Sequence, residues 1–120
     1  MKTTMIGLET QKTTELIDKL NTLLANYQIY YQNLRGLHWN IKGKNFFELH
    51  LKFEEFYTDS QEKIDMIAER ILTLGGSPLH TFGDYIEEAR IPVGKSITND
   101  EHAVQLVLTS LKELLTLERD

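Results

Sequence analysis

The chain has 120 residues, of which 41% are hydrophobic and 26% charged, and a formal net charge of −5, the profile of one globular domain with a small core. It contains no cysteine, which excludes disulfides, thiolate metal sites and cysteine nucleophiles together and fits a reducing compartment. No stretch approaches the ~20 apolar residues of a membrane span, no apolar signal region opens the chain, and the acidic balance disfavours a surface built to neutralise phosphates. The expectation is a soluble cytoplasmic protein with no membrane association, for which cations are the natural partners.

From Gln11 to about Asn40 the apolar positions Leu16, Leu20, Leu23, Tyr27, Tyr30, Leu34 and Leu37 alternate in steps of four and three, with Ile17, Leu24 and Tyr31 alongside. That spacing predicts a long helix with one buried stripe. "IKGKN" supplies a turn, and Asn45 with Glu48 three residues on reads as an N-cap with a reciprocal partner, starting a second helix near Phe46. Its core positions are Phe46, Leu49, Phe53, Phe56, Tyr57, Ile64, Ile67, Ile71 and Leu74, and "LGGSP" stops it. The following connection is long for a compact domain, so "FGDYIEEA" is expected to form a short helix within it. Thr98 to Glu101 reads as a capping box for a third long helix through Val104, Leu108, Leu111 and Leu115. The pattern reaches the last residues without a stop signal.

The second helix carries a polar stripe of its own. With His50 at zero on a wheel of about 100° per residue, Glu54 falls near 40°, Asp65 near 60° and Glu69 near 100°, beside an apolar arc at about 240° to 340°. Glu54 and Asp65 are about 16 Å apart along the axis, so one helix cannot hold one metal with both ends. The spacing is symmetric, however: the pairs His50/Glu69 and Glu54/Asp65 are centred on the same point, between Asp59 and Ser60. A second copy packed antiparallel about a two-fold axis near Ser60 would bring each member of a pair to its counterpart, giving two identical sites. His38, at the end of the first helix, can reach the same region across the turn. Imidazoles and carboxylates without sulfur suit Fe²⁺, Mn²⁺ or Zn²⁺. On residue types alone, a solvated face with an ordinary His50–Glu54 pair is the simpler reading, and the two stay open here. His80 and His102 lack such company and read as surface or packing residues.

"YYQNLRGLHWNIKGKNFFELHLKFEEFY" followed by "DMIAERILTLGGSPLHTFGDY" resembles the Dps family, the DNA-binding proteins from starved cells that form the miniferritin branch of the ferritin superfamily. The resemblance covers the chain from about Leu20 onward. It implies an all-α, ferritin-like helical bundle with a short helix in the middle connection, and a dodecameric shell of identical subunits. By position it implies a ferroxidase centre made of His38, His50 and Glu54 from one subunit with Asp65 and Glu69 from the other. Glu54 stands where the family more often has Asp, one methylene shorter. The implied activity is oxidation of Fe²⁺ to Fe³⁺ by hydrogen peroxide or O₂, with storage of the product and protection against oxidative stress. Zn²⁺ or Mn²⁺ are possible competitors for the site. Trp39, next to His38, would either quench radicals or simply anchor the helix end.

Against that family pattern, residues 1–120 form a single domain that stops partway through the third long helix and lacks the fourth. A bundle incomplete in this way exposes apolar surface, so association is expected. The first ten residues offer only Lys2 as a basic side chain, and DNA binding by an acidic chain is not expected. The alternatives to a ferroxidase are a nucleoid DNA-coating protein and a non-catalytic helical association fragment.

Overall fold

The computed structural model describes residues 2–119, with side chains from residue 10 onward. It is all-helical, with α1 at Lys2–Asn40, α2 at Phe46–Thr73, the short α3 at Phe82–Glu88 and α4 at Asp100–Arg119. α1 is the spine, and each of the other three helices packs against it. No helix among the described residues is long and apolar enough to cross a membrane.

The core is the α1 stripe Leu24, Tyr27, Tyr30, Leu34 and Leu37, closed by Phe53 and Ile71 of α2, Tyr85 of α3, Ile91, and Ala103, Val107 and Leu114 of α4. The predicted stripe is right from Leu20 onward, while Leu16 is 41% exposed and outside the core cluster. α1 begins at Lys2, nine residues ahead of Gln11.

Three local expectations are corrected. Asn45 does not cap α2. Its amide instead donates to the Asp100 carboxylate at 2.7 Å, where the charged acceptor makes the stronger bond. The cap of α4 is Asn99, not Thr98, because Asn99 Oδ1 accepts from the His102 amide at 2.9 Å while the Thr98 carbonyl accepts from Lys42 N. The buried face of α4 is Ala103, Val107, Ser110 and Leu114, leaving Val104, Leu108, Leu111 and Leu115 exposed. α4 has two adjacent apolar faces. The small residues Ala103 and Ser110 let that side approach α1 closely, and close packing selects it.

The end of α2 and the short helix follow the reading. Gly75 takes φ 85°, its amide donates to Leu72 and the Gly76 amide to Ile71, which is the Schellman arrangement that ends a helix. A Cβ on Gly76 would stand 2.7 Å from Ile17 Cγ2, so glycine here lets the turn close onto α1. Thr81 Oγ1 caps α3 by accepting from the Asp84 amide at 3.2 Å.

The long connection from α2 to α4 is pegged to α1 by three asparagines. Asn21 accepts from Leu79 N and donates to the Ser77 carbonyl. Asn26, fully buried, accepts from both Arg90 N and Ile91 N and donates to the Thr22 carbonyl. Asn33 accepts from Gly94 N and donates to the Pro92 carbonyl. A connection with little helix of its own satisfies its backbone through these side chains.

Tyr27 and Tyr30 are buried between α1, α2 and α4, and the Tyr27 hydroxyl donates to Glu118. Burial raises both phenols above the usual 10.0, Tyr30 to about 12, with the Asp59 carboxylate adding to the effect. A raised folded-state value means the folded protein holds the proton more tightly than the unfolded chain does. The corresponding stability is therefore complete below pH 10.0 and lost as pH rises toward about 12. Alkaline titration should show these phenolates appearing together with loss of helical signal in that window, and phenolate absorbance rising fully near pH 10 with the helices intact would contradict this.

Candidate metal centre

The α1–α2 hairpin places the two histidines. Ile41 is buried, its amide still bonded to the Leu37 carbonyl. Lys42 N bonds to Thr98 O and Gly43 reverses the chain at φ 116°. The last turn of α1 and the first turns of α2 are thereby held side by side against the start of α4.

Within that frame the His38 and His50 rings stack, with centroids 3.6 Å apart and planes 14° from parallel. His38 Nδ1 lies 2.6 Å from the His50 carbonyl oxygen, and His50 Nδ1 lies 2.7 Å from the His38 carbonyl oxygen. A carbonyl can only accept, so both Nδ1 atoms carry protons, and in the neutral rings both Nε2 atoms carry lone pairs. Metal-ligating histidines are typically fixed this way, the distal N–H tied to a carbonyl and the other nitrogen left as ligand. Phe46 stacks on His50 at 4.9 Å and the edge of Tyr57 meets His38 at 5.4 Å, so packing holds both rings as well.

The carboxylates are separate from this pair. Glu54, Asp65 and Glu69 are all exposed along α2. Among the described residues no three His, Asp or Glu side chains gather where one chain could hold a metal. The structure thus joins His38 to His50 and does not join either to Asp65 or Glu69 within one chain. His80 and His102 are exposed, as expected, and Trp39 is exposed with the Arg35 guanidinium 4.8 Å above its ring.

The polar stripe has apolar ends that the sequence reading did not single out. Phe47, Leu51 and Leu72 are 76%, 57% and 61% exposed and fall within the same arc of α2 as the carboxylates. Phe47/Leu72 and Leu51/Ala68 are centred between Asp59 and Ser60, as are His50/Glu69 and Glu54/Asp65. The same wheel would have revealed them had apolar residues been sought on the polar arc.

The Ferritin-like domain family model matches residues 17–120. An uncharacterized Haemophilus influenzae protein is 47% identical over all 120 residues, which make up 75% of that protein. A Brevibacillus brevis protein named DNA protection during starvation protein is 43% identical over 82% of this chain and 64% of its own. The crystal structure of the Dps protein from Vibrio cholerae, described as a member of the ferritin-like diiron-carboxylate proteins, superposes with a TM-score of 0.91 at 49% identity. It covers 92% of this chain, and this chain covers 70% of it. With a family match over most of its residues and a shared fold at close to half identity, the chain belongs to the ferritin-like family, in its Dps miniferritin branch.

Proposed function

We propose that this protein oxidises and stores iron, protecting the cell from the combination of Fe²⁺ and peroxide, at a site shared between two copies of the chain. The α2 helices pack antiparallel about a two-fold axis near Ser60. His38 and His50 of one copy, with Glu54 one turn further along α2, then face Asp65 and Glu69 of the other. Fe²⁺ is the substrate. Imidazole Nε2 lone pairs bind it, and the carboxylates favour the Fe³⁺ product because the added charge gains more from anionic oxygen. Two Fe²⁺ and two protons reduce one hydrogen peroxide to two waters, so no hydroxyl radical is released. Zn²⁺ and Mn²⁺ fit the same donor set and would compete. Assembly into a closed shell such as the family's dodecamer would keep the ferric product inside.

The observation that carries this reading is the reciprocal His38–His50 lock, which spends both Nδ1 atoms and leaves both Nε2 atoms as ligands at the head of a symmetric exposed stripe. Phe47, Leu51 and Leu72 supply the apolar surface for association. Direct coating of DNA finds no support in a chain of net charge −5.

The test is anaerobic Fe²⁺ loading followed by peroxide. Wild type should oxidise iron faster than His38→Ala/Asp65→Ala by at least the 10–100-fold that loss of a metal-supporting residue costs. Equal rates would reject the site, and would leave a non-catalytic association fragment as the reading.

A further inference from the structure

The end of α1 is opened at one carbonyl, and that carbonyl is the one that fixes the His50 ring. In a helix each amide bonds to the carbonyl four residues back. Ile41 N keeps to this pattern, donating to the Leu37 carbonyl at 3.0 Å. Lys42 N, whose helical acceptor would be the His38 carbonyl, donates instead to the Thr98 carbonyl at 2.9 Å. The His38 carbonyl is thereby left to accept from His50 Nδ1 at 2.7 Å.

The segment that takes the Lys42 amide grips the same turn a second time. Two residues on from Thr98, Asp100 Oδ2 accepts from the Asn45 side-chain amide at 2.7 Å. Asp100 stands in the first turn of α4, where the helix dipole favours a carboxylate, and its charge strengthens the bond. Its other oxygen, Oδ1, is buried with no hydrogen-bond partner among the described residues. An orphan oxygen on a buried anion lowers stability, so stability by itself does not account for a carboxylate here.

We propose that Asp100 is a positioning residue for the iron reaction: through Asn45 it holds the Thr98 carbonyl on the Lys42 amide, and so keeps His50 in the tautomer that presents Nε2 to the metal. This rests on the iron-oxidation reading above. Released from Thr98, the Lys42 amide returns to the His38 carbonyl and continues α1 by one residue. His50 Nδ1 then loses its acceptor, and with it the hydrogen bond that sets which ring nitrogen carries the proton. In part of the molecules the proton moves through water from Nδ1 to Nε2, and those rings have no lone pair at Nε2 for Fe²⁺. His38 is expected to behave differently. Its Nδ1 donates to the His50 carbonyl at 2.6 Å, an acceptor inside α2 that does not depend on the Lys42 amide.

The experiment uses the full chain, iron-free and with isotopically labelled histidine, and reads each ring's tautomer by nitrogen NMR with both rings neutral. Wild type should show His38 and His50 protonated at Nδ1. Asp100→Ala and Asn45→Ala should each move a sizeable fraction of His50 to the Nε2 form while His38 stays as it was. The double variant should go no further than either single one, and Asp100→Asn, which keeps an acceptor for Asn45, should restore most of the wild-type state. Asn45 is exposed, so its variant keeps the test decisive if Asp100→Ala fails to fold. In iron oxidation the two alanine variants should raise the Fe²⁺ concentration at half-maximal rate several-fold, short of the roughly 10–100-fold that outright loss of a ligand's hydrogen-bond partner costs, with the maximal rate changed less. His50 unmoved in both alanine variants, or His38 and His50 shifting together, overturns this inference and leaves the iron reading standing. Wild type that oxidises iron no faster than protein-free buffer overturns the iron reading, and the purpose assigned to Asp100 with it, whichever tautomers are found.

Discussion

Mixing His50→Ala chains with Asp65→Ala/Glu69→Ala chains should restore iron oxidation that neither variant performs alone. In the proposed shared centre every site of either pure protein is damaged, since each would need imidazoles from one chain and carboxylates from the other. A mixed dimer contains one site with both mutated ends and one with neither. Random association makes about half the dimers mixed, each with one intact site of two, so activity should return to about a quarter of wild type. A site built within one chain would give none. Recovery near zero, with mixed dimers verified by native mass spectrometry, would rule out the shared centre. The experiment is sensitive because the described residues of one chain offer the metal two imidazoles and no cluster of three ligands.

Asn26→Ala should be the most destabilising single substitution outside the apolar core. The Asn26 side chain accepts from Arg90 N at 2.8 Å and Ile91 N at 3.0 Å and is fully buried. Its removal strands two donors, at about 1–3 kcal/mol each, against a total stability of about 5–15 kcal/mol for a domain of this kind. The expected loss of roughly 2–6 kcal/mol corresponds to a fall in melting temperature of roughly 10 °C or more. Amide exchange at Ile91 should accelerate beyond the global effect, because the connection there loses its tether to α1. A melting temperature within a degree or two of wild type would mean that water replaces the amide, and that the Asn21 and Asn33 tethers with the packing of Ile91 and Tyr85 hold the connection.

The stripe of α1 from Leu20 to Leu37 and the glycine stop of α2 were legible in the chain because each rests on local chemistry, periodic burial or a φ that only glycine takes easily, while the Phe46 start of α2 was reached through an Asn45 cap that does not form and α3 through the length of its connection. The polar arc of α2 was legible for the same reason, since helical geometry alone puts His50, Glu54, Asp65 and Glu69 on one side. What local chemistry could not decide was competition between equals. α4 offers two apolar faces, and only contact with α1 selects the one with Ala103 and Ser110. Asn45 and Thr98 are good caps in isolation, yet the fold engages Asn45 with Asp100 and the Thr98 carbonyl with Lys42, leaving Asn99 to cap α4.

The two histidines that the structure joins were therefore readable as candidates by type and spacing, but their chemical state was not. That His38 and His50 each donate to the other's backbone carbonyl depends on two helix ends meeting at hydrogen-bond distance, a relation between residues twelve apart that no periodicity encodes. The asparagine pegs are similar, since Asn21, Asn26 and Asn33 look like ordinary polar residues until the strand of chain they satisfy lies beside them. Sequence alone determined which side chains share a helix face, because 3.6 residues per turn is a property of the backbone. Tertiary structure decided which face is buried and which nitrogen carries the proton, because both depend on what another part of the chain brings into contact.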